Sequence, residues 1–167
     1  MNTPYSHHLK AFTLEAAIRD LETAIVTFPA IDLRSRARES RGDGKWTRQE
    51  ILGHLIDSAS NNLQRFVRTQ IPAHLESGRL VLPGYAQNDW IAINHYATRN
   101  WDDLVQLWAA LNAQIAHIMR HVTPSSLQTP CAIGGGEPIP LEALMIDYVG
   151  HLKHHLEQIV QSSTGEA

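Results

Sequence analysis

This sequence predicts an all-α domain folded as a four-helix bundle. Four long segments carry apolar residues at three- and four-residue steps, no segment reads convincingly as a strand, and neither an internal repeat nor a low-complexity stretch interrupts them. The 167 residues, 43% hydrophobic and 19% charged, match a single globular domain spanning 1–167 with enough apolar side chains for one core.

The first helix runs from Leu14 to Phe28, where Leu14, Ala17, Ile18, Leu21, Ala24 and Ile25 mark one face. A charged stretch, 35–44, ends in Gly42-Asp43-Gly44 and reads as a loop. Thr47 followed by Glu50 is a capping box opening the second helix, with Trp46 as a staple against Ile51, and Pro72 stops that helix after Ile71. Residues 72–84 read as a connecting loop, and 85–96 as a short helix. Asn100 caps the third long helix, whose Leu104, Leu107, Trp108, Leu111, Ile115, Ile118 and Val122 form one stripe before Thr123-Pro124 ends it. Four prolines and Gly134-Gly135-Gly136 make 124–140 a long loop with room for a short hairpin. The fourth helix starts near Pro140, a proline suited to a first turn, and runs to Ser162, leaving 163–167 as a frayed tail.

The net charge of -3 and the absence of a basic stripe argue against nucleic acid as a partner. No run of 18 apolar residues and no cationic leader occur, so the expected location is the cytoplasm, away from membranes. One cysteine, Cys131, excludes an internal disulfide and a CxxC zinc site, and with no basic helper nearby in sequence it is not expected to be a nucleophile.

Histidine, present ten times, is the informative residue. His151 and His155 stand four apart on the fourth helix, one above the other, and two imidazoles so spaced can reach one ion. Their stripe includes Leu144, Asp147 and Gln158 and borders the apolar face. Two hydrogen-bonded histidines at a core edge would account for the same letters. His154 points to the other side and reads as a neighbour or surface group. On the second helix, His54 shares a stripe with Asp57, Ser58, Asn61 and Arg65; residues so unfavourable to mid-helix as Asp, Ser and Asn point to a polar cavity rather than a solvated face. His117 and His121, near the end of the third helix, suit its dipole, and they read with His7, His8, His74 and His95 as structural or surface groups.

At these residues the sequence resembles the DinB-like superfamily, which includes YfiT-type proteins and bacillithiol- and mycothiol-dependent transferases. The resemblance lies in Trp46-Thr47 with Glu50-Ile51-Leu52-Gly53-His54-Leu55-Ile56-Asp57-Ser58, and in His151-Leu152-Lys153-His154-His155-Leu156-Glu157-Gln158. It implies an up-down-down-up four-helix bundle with His54, His151 and His155 as ligands of a divalent metal. Zinc or nickel is the expected ion, although imidazole suits several metals. Many members have His-His-Arg-Gly-Gln where this chain has His154-His155-Leu156-Glu157-Gln158. The superfamily also includes dimers, so a homodimer is among the expectations.

Three imidazoles leave an ion with open positions, the mark of a catalytic rather than a closed structural site. The first expectation is that the metal activates a low-molecular-weight thiol for transfer to an electrophile. The second is a metal-dependent hydrolase using hydroxide generated at the metal, and the third a non-catalytic metal-binding stress protein. Asp57 is placed to orient His54, to act as a base, or simply to be solvated. Ser58, Asn61, Tyr85, Trp90 and His154 are the candidate pocket for a small-molecule substrate, with packing as the plainer role for Tyr85, Trp90 and Tyr96. Gly134-Gly135-Gly136 reads as a flexible loop rather than an anion cradle.

Overall fold

A computed structural model describes residues 13–40 and 42–161. The expected tail at 163–167, the helix end at Ser162, and His7 and His8 lie outside them. In chain order the elements are α1 (Leu14–Thr27), α2 (Arg48–Thr69), β1 (Leu80–Leu82), α3 (Gln87–Asn94), α4 (Trp101–His121), α5 (Pro124–Leu127), β2 (Pro130–Ile133), β3 (Ile139–Pro140) and α6 (Leu141–Val160). The four predicted helices are α1, α2, α4 and α6. Their starts are set by side chains that satisfy first-turn N–H groups: Thr13 accepts from Ala16, Thr47 and Glu50 close the capping box, and Asn100 accepts from Asp102 and Asp103. Pro140 is the residue before α6, with extended backbone, instead of lying inside its first turn.

The loops hold more order than the sequence predicts. β1 pairs in parallel with β2, Leu80 opposite Cys131 and Leu82 opposite Ile133, and β2 pairs antiparallel with β3. Three residues are too few for an alternating pattern to be read, and the partner of β1 lies about fifty residues away, so no local signal marks it. Gly134 approaches Gly84 so closely that a Cβ on Gly134 would lie 3.4 Å from the Gly84 nitrogen, and its own N–H donates to Leu82. The predicted loop at 72–84 and the glycine-rich loop are thus one packed unit. The short helix expected at 85–96 is α3, closed by His95 in the left-handed region at φ 52°.

Each of α1 and α2 packs against both α4 and α6, which places α1 diagonally across the bundle from α2. Hydrogen bonds give the directions. Arg48, in the first turn of α2, donates from Nε to the Ile159 carbonyl (2.9 Å) and from Nη2 to the Gln161 carbonyl (2.7 Å), both at the end of α6, so α2 and α6 are antiparallel. Gln49 donates to the carbonyls of Tyr96 (2.5 Å) and Arg99 (2.7 Å), just before α4 begins, so α2 and α4 are parallel. Phe28, at the end of α1, meets Trp101 and Trp108 near the start of α4 edge-to-face, with centroids 6.4 and 5.1 Å apart. The bundle is therefore up-down-down-up, and the long connection from α2 to α4 returns the chain to the end where α2 began.

Surrounded by α4, α6 and the α3 segment, α2 is buried on nearly every face from Arg48 to Ala59. Gly53 makes this packing feasible: a Cβ there would stand 2.2 Å from the Tyr96 ring. The ring lies in the groove that glycine leaves, and its hydroxyl donates to Asp57 Oδ1, 2.6 Å away and one turn further along α2.

Two stability predictions follow from these contacts. Arg48→Met, which keeps much of the stem but removes the charged donors to two α6 carbonyls, is expected to cost about 2–4 kcal/mol in urea unfolding. Gly53→Ala is expected to cost about 1–3 kcal/mol through overpacking, despite roughly 1 kcal/mol gained in helix propensity. In a Tyr96→Ala background the same change should become neutral or stabilising, since the clash is with that ring.

Candidate metal centre and adjoining cavity

The Arg48–Ile159 contact fixes the register of α2 against α6. Six residues on from Arg48 is His54, about 9 Å along the axis; six residues back from Ile159 is Lys153, midway between His151 and His155. His54 therefore faces the gap between the two α6 histidines. The ring centroids are 5.0 Å apart for His54 and His151, 4.8 Å for His54 and His155, and 4.5 Å for His151 and His155. One nitrogen from each ring falls within a set whose members all lie within 4.8 Å of one another, close enough for a common ion. Trp46 stands over the His54 ring at 5.1 Å between centroids.

His54 is 1% exposed, and the two α6 rings are half-buried. Burial, helped by neighbouring His155, pushes the His54 pKa down to about 4, and burial with the repulsion of His155, His54 and His154 pushes His151 down to about 3. Burial also lowers His155, partly offset by its hydrogen bond to Gln158. All three rings are thus neutral at pH 7, the state that donates a lone pair to a metal.

The donor set fits a divalent ion. His54 Nε2 and His151 Nε2 are 3.1 Å apart; two nitrogens each about 2.0–2.1 Å from a tetrahedral zinc would stand about 3.3 Å apart. Two lone pairs facing each other at that distance need a proton or a cation between them. His155 Nδ1 donates to Gln158 Oε1 (2.9 Å), which leaves the lone pair on Nε2, and Gln158 Nε2 in turn donates to His154 Nε2 (2.8 Å). His54 Nδ1 is buried with no hydrogen-bond partner among the described residues, so no such bond with them restricts its tautomer.

Next to the histidines is a cavity of about 280 Å³, with His151 in its wall. Ser58, Asn62 and Arg65 line it from α2, Leu144, Asp147 and Tyr148 from α6, and Gly84, Tyr85 and Gln87 from the connection between α2 and α4. Of the expected pocket residues, Ser58 and Tyr85 line this cavity. The Tyr85 hydroxyl is hydrogen-bonded with Ser58, and burial pushes its pKa up to about 12. Trp90 packs against Tyr85 with centroids 5.1 Å apart, outside the cavity lining, and His154 is exposed.

Asn61 and Asp57 are elsewhere. Asn61 donates to the Asp57 carbonyl (2.9 Å), and Asn62 takes the cavity position. Asp57 Oδ1 accepts from Tyr96 and from Asn94 (3.0 Å), while Oδ2 is buried without a hydrogen-bond partner among the described residues. Burial raises the Asp57 pKa, partly offset by the Tyr96 bond. The rotation of the helix explains the split: relative to His54, Ser58, Asn62 and Arg65 lie about 40°, 80° and 20° to one side, and Asp57 and Asn61 about 60° and 20° to the other. The cavity occupies the first side and α3 the second. Asp147, which shares the stripe of His151, faces the cavity with no hydrogen-bond or ion-pair partner among the described residues, and burial raises its pKa. The contributions of Asn62, Gln87 and Tyr148 leave no mark in the sequence pattern. Cys131 is buried, with its thiol pKa raised by that burial, in keeping with a packing role.

Comparison with known proteins bears on the fold and the family. Two relatives, each named "putative metal-dependent hydrolase", are 25% identical over 146 residues (Geobacillus thermodenitrificans) and 29% identical over 149 residues (Geobacillus kaustophilus). The first match covers 87% of this chain and 79% of the relative, the second 86% and 79%. Among solved structures, YfiT from Bacillus subtilis, described as a probable metal-dependent hydrolase with an unusual four-helix bundle topology, aligns with a TM-score of 0.71 at 20% identity, over 87% of this chain and 83% of its own. A mycothiol-dependent maleylpyruvate isomerase aligns with a TM-score of 0.70 at 16% identity, over 96% of this chain and 64% of its own. The family model of the DinB superfamily matches residues 13–159, nearly the whole described chain, and the chain belongs to that superfamily.

Proposed function

We propose that His54, His151 and His155 hold one divalent ion, zinc or nickel, and that the chain is a metal-dependent hydrolase acting on a small molecule in the adjoining cavity. The observation that carries this reading is the convergence of three neutral imidazoles from two helices beside a cavity that shares one of them. When bound, such an ion supplies a Lewis acid, able to polarise a substrate oxygen and to lower the pKa of water or of a thiol. The surrounding residues have distinct tasks. Gln158, backed by His154, orients His155. Asp57 is a positioning group: by accepting from Tyr96 and Asn94 it holds α3 and its flank against α2. Asp147, unpaired in the cavity wall, is placed to accept a proton at a carboxylate oxygen. Tyr85 keeps its proton at pH 7 and offers the bound molecule a hydrogen bond, with Trp90 packed against it.

A second reading, transfer of a low-molecular-weight thiol to an electrophile, draws on the shared fold with the mycothiol-dependent isomerase. It uses the same three histidines. Under either reading the partner is a small molecule, and no helix among the described residues is long and apolar enough to cross a membrane.

Purified protein is expected to retain close to one zinc or nickel ion per chain by elemental analysis, and His155→Ala to lose it; equal metal content in the two would remove the assignment. Incubating metal-loaded protein with activated esters, with and without a panel of thiols, separates the reactions. Thiol-independent product supports hydrolysis, thiol-dependent consumption supports transfer, and inertness of both kinds favours a metal-binding role without catalysis.

The metal-free protein should also show a one-sided pH response. In the unfolded chain the histidines titrate near pH 6.5, while folded His54 and His151 have pKa values of about 4 and 3. Between those limits the unfolded state binds more protons, so stability is full above pH 6.5 and declines as the pH falls toward 4. Thermal melts at pH 7.5, 6 and 5 should show this decline, and His151→Gln should flatten it.

A further inference from the structure

Among the described residues Arg65 is the one guanidinium in the cavity wall, and it is half-buried there. Its Nη1 donates to Asn62 Oδ1 (3.3 Å), and Asn62 is itself held by donating to the Ser58 carbonyl (2.9 Å). A guanidinium has five N–H donors, and no carboxylate among the described residues lies within ion-pair distance of this one. A half-buried cation steadied by a neutral amide, with donors unused and no carboxylate beside it, is suited to receive an anion. The one carboxyl in the same wall, Asp147, is on the facing helix and makes no ion pair with it.

We propose that Arg65 anchors the substrate through an anionic oxygen group, a carboxylate or a phosphate, placing the remainder of the molecule along the cavity toward His151. This rests on the reading of the histidines as a metal centre and adds the chemical class of what is bound beside it. Arg65 stands eleven residues beyond His54, about 16 Å along α2; both side chains lean toward the N-terminus, and the longer reach of Arg65 narrows that gap. The bond that reacts is therefore separated from the anionic group by several others: the substrate is a small, elongated molecule with a terminal negative charge.

Propanoate, inorganic phosphate and the neutral control propanamide are titrated into zinc-loaded and metal-free protein by NMR. Wild type, Arg65→Gln and Arg65→Lys are compared, and metal content is measured in each. Carboxylate or phosphate binding that persists without metal, weakens at least about tenfold in Arg65→Gln, and is absent for propanamide supports the anchor; the tighter of the two anions identifies the group. In wild type the Arg65 Nε–H signal should move with the same titration curve, a readout that needs no variant to fold. Equal anion affinity in wild type and Arg65→Gln, an unmoved Arg65 signal, or anion binding in the zinc-loaded form alone would overturn it. Undiminished metal in Arg65→Gln with unchanged anion binding refutes the anchor while sparing the metal centre; loss of metal from wild type refutes the centre itself.

Discussion

A fully buried guanidinium sets the geometry of this molecule. Arg48 reaches from the first turn of α2 to the last carbonyls of α6, and Glu39 meets its remaining face at 2.8 Å. Such a charge is tolerable in the interior only where every donor finds an acceptor, so it allows little sliding of one helix past the other. A shift of one turn, about 5.4 Å, would leave carbonyls and guanidinium unmatched together. Because α6 carries its histidines about half a turn either side of the residue facing His54, this constraint at the end of the bundle decides whether three rings meet in the middle.

Where they meet, burial and mutual repulsion act in the same direction. Withdrawal from water disfavours a proton on His54 and His151, and the neighbouring His155 disfavours it further. The cluster is thus kept in its electron-donating form by the same packing that assembles it. Asp57 illustrates the opposite use of burial. Its carboxyl is spent on holding the Tyr96 hydroxyl and the Asn94 amide, which ties the connection between α2 and α4 to the helix bearing His54.

The helices and the metal candidates were legible because both are written in local spacing. Apolar steps of three and four gave α1, α2, α4 and α6, the capping box at Thr47 and Glu50 marked where α2 begins, and a four-residue interval brought His151 and His155 to one face. The polar letters of α2 pointed to a cavity walled by His54, but not to which way it faces: that depends on where α6 and α3 pack, and so Ser58, Asn62 and Arg65 line the cavity while His54, Asp57 and Asn61 do not. Pairings distant in sequence were beyond reach for the same reason. Nothing near Gly53 announces that an aromatic ring forty-three residues later will rest on it, and nothing in Leu80-Val81-Leu82 names Cys131-Ala132-Ile133 as its partner.

The small sheet divides responsibilities within the chain. Gly84 and Tyr85, which close one side of the cavity, follow directly from β1, and β1 is braced by β2 and by the glycine turn rather than by the helix that bears His54 alone. This wall of the cavity is thus a separate panel hung on its own frame. Substitutions in that panel can reshape the cavity while the three histidines, set in the helical struts, keep their alignment.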